Sequence, residues 1–209
     1  MQKSSQRLPL TLQKHDELIL VVQRKFLFSH DHAWQGLSDQ DLGSFLSVIK
    51  EHKEFLPRSI MEGDSTYKQI VPYLVFSHQD RYFLMQRQAQ ATESRLQNKF
   101  SLGIGGHIRH EDMADDSIIT WARREFYEEV NYADDFTIEP LGILNDDSND
   151  VGRVHLGFVF LLHGNSDRIS VKSELKSGTL ASLAQCVDIY PHMESWSQIV
   201  LEFLKKKQK

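Results

Sequence analysis

Arg124-Glu125-Phe126-Tyr127-Glu128-Glu129-Val130 reads R-E-Φ-x-E-E-Φ, with Φ apolar. At about 100° per residue a helix would place Glu125, Glu128 and Glu129 on one face. Ile119, Ala122, Phe126 and Val130 would form the adjoining apolar stripe. Like charges three and four residues apart repel by a few tenths of a kcal/mol per pair. A divalent cation between them would reverse that, and an all-oxygen carboxylate site suits Mg²⁺ or Mn²⁺. Taken alone, the cluster reads equally well as a solvated acidic face.

The flanking sequence supplies context. Upstream, Gly103-Ile104-Gly105-Gly106-His107-Ile108 holds three glycines in four residues, so backbone must bend tightly or approach something closely there. Asp115-Asp116-Ser117 would cap the acidic helix and favour its dipole. Further back, Gln69 to Phe76 and Tyr82 to Arg87 read as the two arms of a hairpin, with Pro72 marking an edge or bulge. Downstream, Thr137 to Leu144 and Arg153 to Leu162 read as strands around the polar loop Asn145 to Asp150. Glu194-Ser195 open a last helix with Trp196, Ile199, Val200, Phe203 and Leu204 inward. Its end, Lys205-Lys206-Lys207, complements the helix dipole.

Near the N-terminus, Leu18 to Val22 is a β-prone run that Lys25 to Phe28 continues or pairs with. Ser38 precedes a helix carrying Leu42, Phe45, Leu46 and Ile49. The fold class is α/β (α+β): a mixed β-sheet sandwiched between helices, with a strand-helix extension over residues 1–60 packed on a main domain over 61–209.

The 209 residues suffice for a buried core. A net charge of −5 argues against a general nucleic-acid surface. The one cysteine, Cys186, excludes an intramolecular disulfide and fits a reducing cytoplasm. No apolar run reaches membrane-spanning length, and Met1 to Lys14 has no signal-like apolar core.

The glycine turn, the acidic linker and R-E-Φ-x-E-E together resemble the Nudix family, whose signature is G-x5-E-x7-R-E-U-x-E-E-x-G-U. Tyr132 takes the final bulky position, and Asp116 the first Glu. Asn131 stands at the usual Gly, where a left-handed helix end is expected. Nine residues rather than five separate Gly106 from Asp116, so roughly Arg109 to Met113 is inserted. Gly105-Gly106-His107-Ile108, Leu84-x-x-Arg87 and Glu194-Ser195-Trp196-Ser197 are similar to family hallmarks, over about residues 75–204. Lys68-Gln69-Ile70-Val71-Pro72-Tyr73 and the lengthened loop resemble a subgroup of predicted MutT-like phosphoesterases.

The resemblance implies metal-dependent water attack on a diphosphate linkage in a nucleoside diphosphate derivative or similar small molecule. Glu125, Glu128, Glu129 and the Gly106 carbonyl would hold Mg²⁺ or Mn²⁺. Arg124 would orient Glu128, and Glu128 or Glu129 would serve as base. Asp116 would be a structural cap. His107, His155 and Arg87 are the substrate-side candidates, each with a packing alternative. Glu111 and Asp112 in the insertion are within reach of the metal in one reading, and solvated in the preferred one. Asn145, Asp146 and Asp147 read as a plain solvated loop or a base-bearing one, and Glu174 is a further base candidate. Base-stacking aromatics are sought among Phe26, Trp34, Tyr73, Tyr82 and Phe158. Two other functions stand beside hydrolysis: a non-catalytic nucleotide-sensing module, and isoprenoid-diphosphate isomerisation, which would need Cys186 as a catalytic thiol. The expected partner is the small diphosphate, with no nucleic acid, no membrane, and a possible homodimer.

Overall fold

The computed structural model describes residues 16–28, 33–39, 42–87, 99–112, 117–172 and 175–207. Asp116, Glu174 and the side chain of Arg87 lie outside the described residues.

The centre of the molecule is the parallel pairing of two apolar strands far apart in sequence. The N-terminal part supplies β1 (Leu18–Gln23), α1 (Arg24–Leu27), β2 (Gly36–Ser38), α2 (Leu42–His52), β3 (Lys53–Pro57), α3 (Arg58–Met61) and β4 (Tyr67–His78). β5 (Arg81–Arg87), β6 (Phe100–Ser101), β7 (Gly103–Gly105), α4 (Ile118–Glu129), β8 (Val130–Asn131) and β9 (Phe136–Asn145) follow. The chain closes with α5 (Asp150–Val154), β10 (His155–Gly164), β11 (Ser170–Val171), β12 (Leu175–Ser182), α6 (Leu183–Ile189) and α7 (Ser195–Lys207). Among the described residues the main sheet has ten strands, with the order β12-β5-β4-β10-β9-β2 along its path. β4 pairs with β10 in parallel, Gln69 opposite His155. Such a strand is buried on both faces and reads as a continuous apolar run.

β4 and β5 meet through Gln79 and Asp80, both left-handed at φ 48° and 57°. That is the two-residue turn whose twist matches a hairpin. On the same edge, opposite β10, β4 pairs with β1 at Gln69 and with β7 at Tyr73. Pro72, which has no N–H to donate, falls in the gap between these two partners.

Alternation along β4 and β10 sends side chains to two cores. Ile70, Leu74, Phe76, Leu156, Phe158 and Phe160 pack under α4, with Leu20 and Val22 of β1. Tyr73, Val75, Val159 and Leu161 pack against Val200, Leu201 and Leu204 of α7. The sheet is therefore mixed and flanked by helices on both faces, as the sequence reading anticipates.

Several local expectations change. Lys25 to Phe28 neither continues nor pairs with β1: Arg24–Leu27 is a helical turn that buries Leu27. In α4 the buried stripe is Ile118, Trp121, Ala122, Glu125 and Phe126, while Ile119 is exposed. The helix does not end left-handed at Asn131. Val130 is already extended, and β8 pairs with β11, Asn131 opposite Ser170. A chain that leaves the helix straight into a strand needs no glycine at that position.

Candidate active site

α4 begins at Ser117, whose hydroxyl accepts from the Thr120 N–H, so its first orphan donors are capped locally. Burial of Phe126 and Trp121 then fixes the rotation of the helix. That rotation turns Glu125 inward, to 7% exposure, and leaves Glu128 at the rim.

Glu125 meets the glycine turn. A methyl placed on Gly106 would fall inside the Glu125 carboxylate, Oε2 nearest. The contact therefore requires glycine for close approach, and Gly106 does not have a positive φ. β7 holds the turn, with Gly105 opposite Tyr73 of β4. β1 holds its far side, where the Leu20 N–H donates to the Ile108 carbonyl at 2.8 Å.

Arg124 gathers the cluster. Nη1 donates to Glu128 Oε1 at 2.8 Å, one helical turn on. Nη2 reaches Glu125 Oε1 at 2.7 Å, Asp112 Oδ2 at 2.9 Å and the His107 carbonyl at 3.4 Å. Such charge-assisted bonds fix geometry as well as charge. Asp112 is not solvated as expected. Its side chain is 8% exposed, and it also accepts from the Arg109 N–H at 2.8 Å. A 3-10 turn, His110–Asp112, carries it onto the helix, where Trp121 Nε1 donates to the Asp112 carbonyl at 3.0 Å. Arg109 lies 3.7 Å from Glu128 Oε1. Glu111 is exposed, as expected.

Burial pushes the Glu125 carboxyl up to about 7, with Glu128 and Glu129 adding to the rise against the pull of Arg124 and Arg109. Buried charge and like-charge neighbours are the two physical causes that raise a carboxylate. They are also what a bound dication would relieve.

The side chain of His107 turns away from the carboxylates. Its Nε2 lies 2.7 Å from Gln69 Oε1 and 3.2 Å from His155 Nε2. Burial, with His155 and Arg58 nearby, pushes this imidazole down to about 2, so the ring is neutral. His155 Nδ1 donates to the Val151 carbonyl at 2.7 Å. The two histidines named from sequence are thus together, and each is hydrogen-bonded.

The polar loop after β9 is neither plain nor solvated. Asn145 and Asp146 are fully buried. Asp146 accepts from Gln35 at 2.7 Å, from Ser148 Oγ at 2.5 Å and from Asn149 at 2.8 Å. Asp147 pairs with Arg24 and, at 2.9 Å, with the buried Lys68. These carboxylates are committed to holding the start of β10, since Lys68 Nζ also donates to the carbonyls of Gly152 and His155 at 2.8 and 3.2 Å.

Tyr73, Tyr82 and Phe158 are buried in the cores and cannot stack on a base. Tyr73 instead donates to Glu194 at 2.9 Å. Trp34 packs edge-on against Phe28 and Phe45, and Phe26 is exposed. Cys186 is fully buried in α6, and burial pushes its thiol up to about 11. A buried neutral thiol is no nucleophile, so the isomerase reading has no catalytic group. Arg109 is the member of the site that sequence reasoning gave no role, and Asp112 the one it read as solvated in preference to a place at the site.

No family model matches the chain. Protein YmaB of Bacillus subtilis is 34% identical over 209 residues, covering 92% of this chain and 99% of YmaB. The crystal structure of Tm1382, assigned as a Nudix hydrolase, is 30% identical with a TM-score of 0.75, and covers 91% of this chain and 100% of Tm1382. The chain belongs to the Nudix hydrolase family. It is a Nudix-type pyrophosphohydrolase, and the stretch Arg124 to Glu129 that resembles the family signature lies on α4. The likeness to YmaB and Tm1382 reaches well beyond residues 75–204, which carry the motif. A more distant likeness shows the fold alone: the Nudix domain of Shewanella oneidensis NrtR, solved with ADP-ribose, is 14% identical with a TM-score of 0.54 over 68% of this chain and 89% of that domain. Among the described residues no helix is long and apolar enough to cross a membrane.

Proposed function

We propose that this Nudix hydrolase cleaves the diphosphate linkage of a nucleoside diphosphate derivative, ADP-ribose being the first compound to try, with Mg²⁺ or Mn²⁺ held by Glu125, Glu128, Glu129 and the Gly106 carbonyl. The observation that carries the reading is Glu125. A carboxyl buried against bare glycine backbone, beside two further glutamates and held up to about 7, is costly without a cation to face it.

The donor set fits that ion. It is all oxygen and rich in carboxylates. Arg124 and Arg109 are the only guanidiniums the described residues place against Glu111, Asp112, Glu125 and Glu128. A dication there supplies a polarised phosphoryl group and a bound water of lowered pKa.

The protein's own residues do the rest. Arg124 takes Oε1 of Glu125 and Oε1 of Glu128, which turns their other oxygens toward the glycine turn and the open rim. Glu128, at that rim, is positioned to accept the proton of the attacking water. The glycine turn lets the phosphate-side groups approach backbone without a side chain between them. The lone buried thiol fits a reducing compartment and supports a cytoplasmic location. The sequence keeps all three glutamates and the arginine, which supports hydrolysis over a binding-only module.

The test is phosphate release from ADP-ribose, nucleotide sugars, dinucleoside polyphosphates and coenzyme A with Mg²⁺ or Mn²⁺, run beside Glu128→Gln. Turnover by the wild type that falls at least about 10²-fold in the variant is expected for loss of a general base. Equal turnover in both would refute the assignment of Glu128, and tight nucleotide binding with no turnover in either would refute hydrolysis.

A further inference from the structure

Three groups with metal-binding chemistry converge outside the glutamate cluster. Glu62 follows α3, His107 follows the glycine turn, and His155 opens β10, and one ligand atom from each lies within 4.8 Å of the others. The two imidazoles come from positions 48 residues apart and face one another Nε2 to Nε2 at 3.2 Å. Because the Val151 carbonyl can only accept, His155 Nδ1 carries the proton and its Nε2 presents a lone pair to the cluster. A backbone carbonyl on the far nitrogen is the usual means of orienting a metal-ligating histidine.

We propose that Glu62, His107 and His155 form a second metal site, of the two-imidazole, one-carboxylate kind that takes Zn²⁺. The spacing suits that ion. With Zn–N lengths of about 2.05 Å, nitrogens 3.2 Å apart subtend roughly 100° at the metal, near the tetrahedral angle. Imidazole nitrogen selects zinc and its late first-row neighbours, where the glutamate cluster offers oxygen alone. Three protein ligands leave a fourth position open for water or an anionic oxygen.

Charge and access permit it. Arg58 borders the cluster through Glu62, and it is paired with Glu17 at 3.2 Å and with Glu62 Oε1 at 3.1 Å. Two carboxylates thus answer one guanidinium, and Oε2 of Glu62 is not the oxygen it holds. Glu62 is 29% exposed at the side chain, which gives an ion a way in. Ligation through His107 Nε2 requires that ring to carry its proton on Nδ1 and to give up Gln69 Oε1. Gln69 meanwhile donates to the Met61 carbonyl at 3.1 Å, so α3, β4 and the glycine turn already meet at this point.

The experiment is a titration of metal-stripped full-length protein with Zn²⁺ against a chromogenic chelator, with the visible spectrum of Co²⁺ as a second readout. It compares wild type, Glu62→Gln, His155→Gln, and a triple variant carrying Gln at 125, 128 and 129, each checked by thermal unfolding without metal. One Zn²⁺ bound by wild type and equally by the triple variant is expected, with affinity at least about 100-fold weaker in Glu62→Gln and His155→Gln. The cobalt bands should be lost with His155. Glu62 is partly exposed, so its variant reports even if His155→Gln fails to fold. Zinc binding that disappears only in the triple variant, or is equal in wild type and Glu62→Gln, overturns the proposal. So does no binding by wild type, which would make the histidine pair a hydrogen-bonded strut. The triple variant keeps this outcome separate from the fate of the hydrolase assignment, which is read by phosphate release.

Discussion

Glu125 is flanked by Arg124 on one oxygen and by the Gly106 backbone on the other. In the unfolded chain it ionises near 4.5, in the folded protein at about 7. Between those values the unfolded chain has lost the proton that the native state keeps, so raising the pH favours unfolding. The penalty is absent below about 4.5 and complete above about 7. At about 1.4 kcal/mol per pKa unit it is on the order of 3 kcal/mol. Metal-stripped wild type should therefore lose urea resistance relative to Glu125→Gln on going from pH 5 to pH 8. Saturating Mg²⁺ at pH 8 should restore it in wild type alone. Parallel pH profiles for the two proteins would sink this account. At this scale the sequence was informative wherever geometry is local. Arg124 and Glu128 lie one turn apart on a helix, so their contact could be read from spacing. Asp112 reaches the same arginine from an inserted loop, and no periodicity announces that. Nor does periodicity say that His107 and His155 meet.

The inserted turn His110–Asp112 is the element that most changes the site from what spacing suggests. It docks on α4 through Trp121 and pins Arg124 by the Asp112 carboxylate. Asp112→Ala should leave the guanidinium with one fewer anchor and let Glu128 wander. We expect kcat to fall about tenfold, in line with a misplaced catalytic carboxylate, and stability to fall by about 1–3 kcal/mol. Steady-state kinetics and thermal unfolding would check both. An unchanged kcat would mean that Glu125 and Glu128 hold Arg124 without the turn. Other elements were legible to different degrees. β4, β5, β9, β10, α4 and α7 follow from apolar runs and helical spacing. Lys25 to Phe28 looked extended because Phe26 and Phe28 are β-prone, yet the chain turns at Arg24–Leu27 to bury Leu27 and Phe28. β12 was hidden, since Leu175 to Ser182 carries no clear alternation and pairs as an outer strand against β5.

On the scale of the whole molecule, the N-terminal strands are part of the main sheet. β1 pairs with both β3 and β4, and β2 pairs with β9. A cut at residue 60 would fall inside α3. We therefore propose that the described part of residues 16–60 is integral to the enzyme. Deleting them should expose Ile70, Leu74 and Ile108, strip the edge of β4 at Gln69 and free the glycine turn. The expected product is insoluble or binds a hydrophobic dye strongly. A soluble, cooperative, active 61–209 fragment would show the extension to be dispensable.

The parallel pairing of β4 with β10 also has a consequence for biosynthesis. Lys68 and its partner carbonyl on His155 are 87 residues apart. At about 5–20 residues per second, roughly 4–17 s pass on the ribosome between their appearances. Through that interval the long apolar strand β4 waits with one edge open, the state in which nascent chains pair wrongly with each other. Pro72 blunts the opposite edge, where the gap between β1 and β7 would otherwise present a free N–H to an intruding strand. The residue that complicates reading β4 as a central strand is then a safeguard for the stretch that β1 and β7 leave uncovered, while the other edge closes only when β10 arrives.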